Sequence, residues 1–190
     1  MTKMSQAVDA VPDMTDEAFQ LRHTALRNAN YHLARRRWLE GVSRCFNLLV
    51  ILGGTGTAAE VVRGSDFGAL LLGATIALIG ALQLVFDFSG RARLHETLQR
   101  RYFELMADIE CALDPQQADC ANWRAKLTRI AGDEPPVMRA LDAVADNQAT
   151  GALLGATKPR LQISRWEHFS RNFCAHENKT FPTNRDWETD

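Results

Sequence analysis

The residues of this chain that could bind a metal are few and scattered. The densest group of metal-ligating side chains is His168, Cys174 and His176. A tetrahedral zinc site needs four ligands at recognisable spacings, and here the fourth is missing. The other three cysteines show no paired spacing either. The sequence therefore predicts no metal site.

Two other patterns invite comparison with catalytic motifs. The glycine-rich residues 53–56 lie inside an apolar segment, whereas a phosphate-binding loop connects a strand to a helix. Asp133 and Glu134 precede Pro135, which is typical of a solvated start of a helix. No serine, histidine and acid share a context that would support a triad. We predict that the chain is not an enzyme and carries no cofactor.

Three polar residues, Glu60, Gln83 and Asp87, stand in or beside long apolar stretches, where an ionisable group suggests a functional site. Glu60 and Asp87 are near opposite ends of the apolar region, where water can solvate them. Gln83 lies about one turn before Asp87, and two roles stay open for it: hydrogen bonding to a neighbouring helix, or lining a pore. Gln83 and Asp87 are thus the candidate pore-lining residues.

Two apolar segments must position these polar groups: residues 42–62 and residues 67–88, separated by the polar residues 63–66. Each is about as long as the ~20 residues that cross a hydrocarbon core of ~30 Å. The separator is too short for a domain and too polar for lipid, so it predicts a tight turn at one membrane surface. The predicted fold class is an all-α membrane protein, a two-helix transmembrane hairpin with a cytoplasmic helical bundle.

Core helices of a soluble bundle are the alternative. The second segment carries no charge from Phe67 to Phe86, whereas a soluble helix of that length normally keeps a polar face. The first segment is less apolar, because Asn47, three glycines and Glu60 interrupt it. Hydropathy favours the membrane. The long polar stretch before the first segment argues against a cleaved signal peptide.

Arginines flank the hairpin at the two ends away from the turn. Residues 22–44 contain six arginines and one acid, and residues 91–101 contain four arginines and one acid. By the positive-inside rule, both termini are cytoplasmic and the turn is outside. Anionic inner-leaflet lipid would attract each well-placed arginine by about 1 kcal/mol. The lipid-surface candidates are Arg35, Arg36, Arg37, Arg44, Arg91 and Arg93.

Composition fits a largely soluble chain with a small membrane part. Of 190 residues, 24% are charged, and the part outside the two segments is long enough for one modest bundle. The net charge is −1, and acids concentrate in residues 108–119 and 133–146, away from the arginine-rich ends. This distal acidity argues against binding of nucleic acid. Cytoplasmic termini also predict that the four cysteines are reduced thiols.

Outside the hairpin, the pattern predicts helices and no sheet. Residues 1–41 form an N-terminal amphipathic helix, with Gly41 as a candidate bend at the bilayer. Residues 89–177 form the helical region after the hairpin; it begins with a long stalk that a kink at Ser89-Gly90 would bend. The apolar positions of this stalk recur at three- and four-residue steps: Leu94, Leu98, Tyr102, Leu105, Ile109 and Leu113.

Shorter elements are expected beyond the stalk. Helices are predicted at residues 117–130 and 137–148, and residues 151–155 look like a loop. Residues 161–173 interleave aromatic side chains with arginines, and two interpretations stay open: packing against the bundle, or lying on the bilayer surface. Residues 178–190 are predicted to be a disordered tail.

Small residues form stripes along both apolar segments. Such stripes let backbones approach closely and favour association of helices in lipid. One small face would pack the two helices of the hairpin, and a second would support a homo-oligomer. The helix-association candidates are Gly53, Thr57, Ala69, Gly73, Ala77 and Ala81.

Residues 22–113 together resemble the SLATT domain. The first helix carries Tyr31, Ala34 and Trp38 among arginines, and a hairpin with a very short turn follows. The helix after the hairpin adds Ala92, His95, Leu98, Tyr102 and Leu105. The SLATT name denotes two-transmembrane effectors of nucleotide-sensing bacterial defence systems.

The resemblance implies an inner-membrane, pore-forming effector of antiviral (antiphage) defence. It would oligomerise and permeabilise the membrane on a signal from a separate nucleotide-sensing partner protein. The acidic helices after Asp114 and the aromatic C-terminal segment are where that partner is expected to bind. Two alternatives stay open: a non-pore membrane anchor or scaffold, and a phage-type lysis or superinfection-exclusion membrane protein.

Overall fold

A computed structural model describes residues 14–55, 66–155 and 158–183 of the chain. These residues form helices and no sheet, and their single bridge pairs Leu161 with Thr183. The prediction of an all-α chain is confirmed. The helices are α1 (Met14–Gly54), α2 (Asp66–Phe86), α3 (Phe88–Cys111), α4 (Gln117–Ala131), α5 (Arg139–Leu154) and α6 (Arg165–Ser170).

Helix α1 is a single element of 41 residues, and it joins the predicted N-terminal helix to the first apolar segment. Asp16 and Glu17 lie in its first turn, where the helix dipole favours acids. The predicted bend at Gly41 is wrong. A lone glycine costs a helix only about 1 kcal/mol, which the hydrogen bonds on either side outweigh. Residues 1–13 lie outside the described part of the chain.

The core of the bundle forms where α3 packs along α1. Helix α1 contributes mainly alanines, and their small side chains let α3 approach closely. The predicted inner face of α3 is confirmed for its four central positions, from Leu98 to Ile109, which are at most 6% exposed. The prediction is wrong at both ends, because Leu94 is 40% exposed and Leu113 lies beyond the end of the helix. Helix α4, predicted at residues 117–130, covers this core with Trp123 and Ile130. The core residues are Ala18, Leu21, Ala25, Ala29, Leu98, Tyr102, Leu105, Ile109, Cys120, Trp123 and Ile130.

Helix α5 packs on the other side of α1, where Leu141 and Ala145 contact Tyr31. It continues to Leu154, so the loop predicted from residue 151 onward is wrong for residues 151–154. The continuation keeps Ala149 fully buried on the inner face. The helix ends at Gly155, whose φ of 85° is a conformation that glycine adopts without steric cost.

The junction between α2 and α3 lies at Asp87, which adopts a left-handed φ of 39°. The predicted kink was two residues further on. The Asp87 carboxylate accepts a hydrogen bond from the Gly90 amide at 3.0 Å and so caps α3. Gly90 is required there, because a Cβ would lie 2.0 Å from Asp87 Oδ2. Backbone bonds from Asp87 to Gln83 and from Arg91 to Asp87 keep the two helices joined.

The C-terminal part folds back onto the bundle as the short helix α6 and extended chain. Buried Glu167 pairs with Lys179, and Gln162 donates its amide to the Pro182 carbonyl at 2.9 Å. The prediction of disorder is therefore wrong for residues 178–183, while residues 184–190 lie outside the described part. Trp166 and Phe169 are 67% and 69% exposed, so these aromatic side chains do not pack into the bundle.

Candidate functional site

The apolar side chains of α2 form an uncovered surface in the described part of the chain. Within the described residues, one helical stretch, Leu70–Cys111, contains a window long and apolar enough to cross a membrane, and none of that window is buried. Leu84 and Val85 are 85% and 75% exposed. The last turns of α1, with Ile51 and Leu52, are exposed beside it. Residues 56–62 of the first apolar segment lie outside the described part.

Close packing between α1 and α2 occurs at Gly53. A Cβ on Gly53 would lie 2.6 Å from Cδ1 of Ile76, so the glycine is what lets the two helices approach. The predicted stripe on α2 lies elsewhere: a Cβ on Gly73 would lie within 4 Å of no described residue, and Ala77 and Ala81 are exposed. The described residues of α1 therefore leave these three positions of the stripe uncovered. Of the remaining helix-association candidates, Thr57 and the side chain of Ala69 lie outside what the structure describes.

Both candidate pore-lining residues make hydrogen bonds within the chain. Gln83 Nε2 donates to Asn47 Oδ1 of α1 at 2.8 Å, which is the helix-bridging role weighed against pore lining. Asp87 caps α3 through the Gly90 amide. Polar groups in an apolar environment are stabilised by such bonds.

Two of the arginines predicted to face lipid are ion-paired. Arg36 Nε lies 2.7 Å from Glu40 and its Nη1 lies 3.1 Å from Glu96, so α1 and α3 are joined by this pair. Arg44 Nη2 lies 3.4 Å from Glu40. These carboxylates neutralise charge that was predicted to meet lipid phosphate.

The other arginines of that set have no carboxylate partner among the described residues. Arg37, Arg91 and Arg93 are exposed. Arg35 is half-buried; its Nη1 donates to the Asn172 carbonyl at 2.7 Å, and its guanidinium lies 4.8 Å from the centre of the Trp38 ring. Burial and then the nearby charge of Arg91 lower the pKa of Arg35.

Four polar side chains meet in the interior, where α1, α3 and the connection from α4 to α5 come together. His32 Nδ1 lies 2.8 Å from His95 Nδ1, and His32 Nε2 lies 3.0 Å from Glu134 Oε1. The Tyr102 hydroxyl donates to the same glutamate oxygen. His32, His95 and Tyr102 are at most 4% exposed, so water screens this cluster little. We call these four residues the histidine cluster.

The geometry of the histidine cluster orders its protons. Burial raises the pKa of Glu134, but hydrogen bonds from His32 and Tyr102 outweigh burial and hold that pKa below its usual value. An ionised Glu134 accepts the His32 Nε2–H, which leaves His32 Nδ1 to share one proton with His95 Nδ1. Burial, followed by the neighbouring His32 and Arg35, lowers the pKa of His95 to about 4. The cluster is therefore a chain of hydrogen bonds that runs from His95 through His32 to Glu134.

Sequence reasoning found only part of this cluster. His95 and Tyr102 are among the residues that carry the SLATT resemblance, and their separation of seven puts them on one face of α3. The prediction that Glu134 is solvated at a helix start is wrong, because it lies under His32 and Tyr102. His32 could have been found as the polar member of the alanine stripe on α1. Glu134 gives no local signal, since it is 102 positions away from His32.

No group of three or more histidine, cysteine or acidic residues in the described part of the chain could hold a metal ion. Comparison of the chain with protein-family models, curated proteins and solved structures gives no match. The SLATT resemblance therefore stays a prediction from the residues.

Proposed function

We propose that this chain is a multi-pass protein of the bacterial inner membrane with both termini in the cytoplasm. The observation that carries the proposal is the uncovered apolar surface of α2, beside the exposed apolar end of α1. Burying such a surface in lipid gains about 25 cal/mol for each Å² removed from water. In a transmembrane hairpin whose second helix is α2, the apolar side chains of α2 contact lipid. Helices α3 to α6 then lie outside the bilayer.

The arginines support the orientation. Arg37, Arg91 and Arg93 flank the hairpin on the side of the helical bundle, and none has a carboxylate partner among the described residues. Unpaired arginines at this level favour the anionic cytoplasmic leaflet. Reporter fusions at Met1 and Asp190 are expected to read cytoplasmic, and a tag in residues 64–65 to be accessible from outside. Protection of that tag in intact spheroplasts would contradict the topology.

We further propose that the protein is an effector of antiphage defence, which oligomerises and permeabilises the membrane when a nucleotide-sensing partner signals. The SLATT resemblance suggests this role. The small-residue stripe supports assembly, since Gly73, Ala77 and Ala81 face away from α1 and allow the close approach of another helix.

A non-pore membrane anchor is the second candidate, and one observation favours it. Gln83 donates to Asn47 and so joins α2 to α1, and Asp87 caps α3 through the Gly90 amide, so both polar side chains make structural hydrogen bonds. An anchor needs no polar lining. The two candidates differ in their effect on membrane potential.

Induced expression with membrane fractionation and a potential-sensitive dye tests both candidates. The effector is expected to fractionate with the membrane and to depolarise cells when its trigger is present. Gly73→Leu is the variant that blocks close approach, whereas Ala74→Leu is the control on a neighbouring exposed position. Membrane insertion with intact potential under the trigger, in wild type and both variants, would identify an anchor. Recovery in the soluble fraction would overturn the membrane proposal.

A further inference from the structure

A cavity of about 430 Å³ lies between α1, α3 and the residues that connect α4 to α5. It adjoins the histidine cluster, because His95 belongs to both. No acidic side chain lines it in the described part of the chain. Its lining consists of Tyr31, Arg35, Leu39, Arg91, Leu94, His95, Pro135, Pro136 and Met138.

Two arginines supply the charge of this cavity, and neither is neutralised. Arg35 donates to the Asn172 carbonyl, which carries no net charge, and Arg91 has no ion-pair partner among the described residues. Both guanidinium groups line this cavity, and after burial the nearby charge of Arg91 lowers the pKa of Arg35. By contrast, the next residue on α1, Arg36, is held by two carboxylates. Two like charges at one cavity create a site that an anion would stabilise.

Two neutral groups add directional hydrogen bonds. The Tyr31 hydroxyl accepts the Met138 backbone amide at 3.0 Å, which leaves its own hydrogen to donate. The described bond of His95 uses Nδ1, and its Nε2 has no partner among the described residues. Because His32 donates its Nε2–H to Glu134, the proton between the two Nδ1 atoms is that of His95, and His95 Nε2 is left as an acceptor. The cavity thus presents two charged donors, one neutral donor and one neutral acceptor.

We propose that this cavity binds a phosphate group, with Arg35 and Arg91 pairing its oxygens, Tyr31 as a neutral donor, and His95 Nε2 as the acceptor for a phosphate hydroxyl. A guanidinium group can bind two oxygens of a phosphate at once. A phosphate therefore suits this pair of arginines better than an anion with a single charge. The phosphate belongs either to the headgroup of an anionic lipid or to a soluble molecule. Binding of a lipid headgroup rests on the membrane placement proposed above, since Arg91 lies one turn after the junction at Asp87. Binding of a soluble phosphate is independent of that placement.

The experiment uses the full chain in neutral detergent for soluble phosphate, and in nanodiscs for lipid. Inorganic phosphate is titrated at constant ionic strength while the imidazole nitrogens of His95 are followed by NMR. In the second arm, nanodiscs of phosphatidylcholine with and without phosphatidic acid are compared by native mass spectrometry for retained lipid. The test variant carries Arg35→Gln and Arg91→Gln. The matched control carries Arg100→Gln and Arg129→Gln, which remove the same charge at exposed positions outside both the cavity and the set of lipid-surface arginines.

Binding of inorganic phosphate is expected to shift the NMR signal of His95 Nε2, because that nitrogen then accepts a hydrogen bond from the phosphate hydroxyl. The test variant is expected to bind at least about tenfold more weakly, because it loses the charge-assisted hydrogen bonds of both guanidinium groups. The control is expected to stay within about twofold of wild type. Should the test variant fail to fold, Arg91→Gln alone replaces it, since Arg91 is exposed and makes no described contact that the fold needs.

The outcomes separate the two sources and the two proposals. Selective loss in detergent identifies soluble phosphate, and selective loss only in nanodiscs identifies a lipid headgroup. Equal losses of phosphate binding in the test and control variants would overturn the proposed phosphate site. The absence of phosphate binding in both arms would do the same, even if the chain inserts into membranes and depolarises cells. A chain that binds phosphate through Arg35 and Arg91 but does not fractionate with membranes would overturn the membrane placement and support the site.

Discussion

Acidification is expected to destabilise the fold through His95. This histidine is 4% exposed, and its pKa falls from 6.5 to about 4 in the folded protein. The unfolded chain therefore takes up the proton first as the pH drops. The stabilisation is complete above a pH of about 6.5 and is lost progressively as the pH falls toward about 4. The titratable and charged groups that face His95 are His32, Arg35 and Glu134.

The magnitude follows from the size of the shift. A change of about 2.5 pH units at ~1.4 kcal/mol per unit limits the loss to about 3 kcal/mol, of which about 2 kcal/mol is reached by pH ~5. For a chain of this length, each kcal/mol moves the midpoint of thermal unfolding by ~2–4 °C. The midpoint is therefore expected to fall by about 4–8 °C between pH ~8 and pH ~5. The lowered pKa of Glu134 acts below this window.

Thermal unfolding of the detergent-solubilised chain, followed by circular dichroism across this range, measures the effect. His95→Gln keeps an amide near His32 but does not titrate, so its midpoint is expected to change less with pH than that of wild type. His168→Gln is the control, because His168 is exposed on α6 and should leave the wild-type pH dependence unchanged. Parallel curves for wild type and His95→Gln would show that His95 is not the group responsible.

Three further outcomes follow from the same contacts. Tyr102→Phe removes the hydrogen bond to half-buried Glu134 and should cost about 1–3 kcal/mol in urea unfolding. An unchanged midpoint would mean that Glu134 finds another donor. Gly53→Leu should separate the two apolar helices and lower the thermal stability of the chain. Gly73→Leu should leave that stability unchanged and shift the protein to a smaller species in size-exclusion chromatography. Equal effects of the two substitutions would contradict the assignment of the two faces. Because asparagine also caps helices, Asp87→Asn should keep wild-type stability. If both proteins conduct and the variant has the wild-type reversal potential under a salt gradient, Asp87 does not lie on a permeation path.

The helices were within reach of sequence reasoning because each one buries a periodic face. The three- and four-residue steps of Leu98, Tyr102 and Leu105 predicted the inner face of α3, and the start of α4 at residue 117 was predicted correctly. The errors lie at positions with weak local preferences. Gly41 carried no signal that distinguishes a bend from a tolerated glycine, and α5 continued through Gly151 because Ala149 packs against the bundle.

The amino-acid sequence by itself determined the helical class, the long apolar helix α2 and the arginine-rich flanks, since these depend on composition and on spacing along one element. Only the tertiary structure decided which arginines are neutralised and which polar groups meet. Arg36 is paired with Glu96, 60 positions away in sequence, while Arg35 beside it turns to a cavity. His32 and Glu134 come together because packing of α1, α3 and the α4–α5 connection excludes water, and a buried polar group is then stabilised only by another one that the fold brings to it.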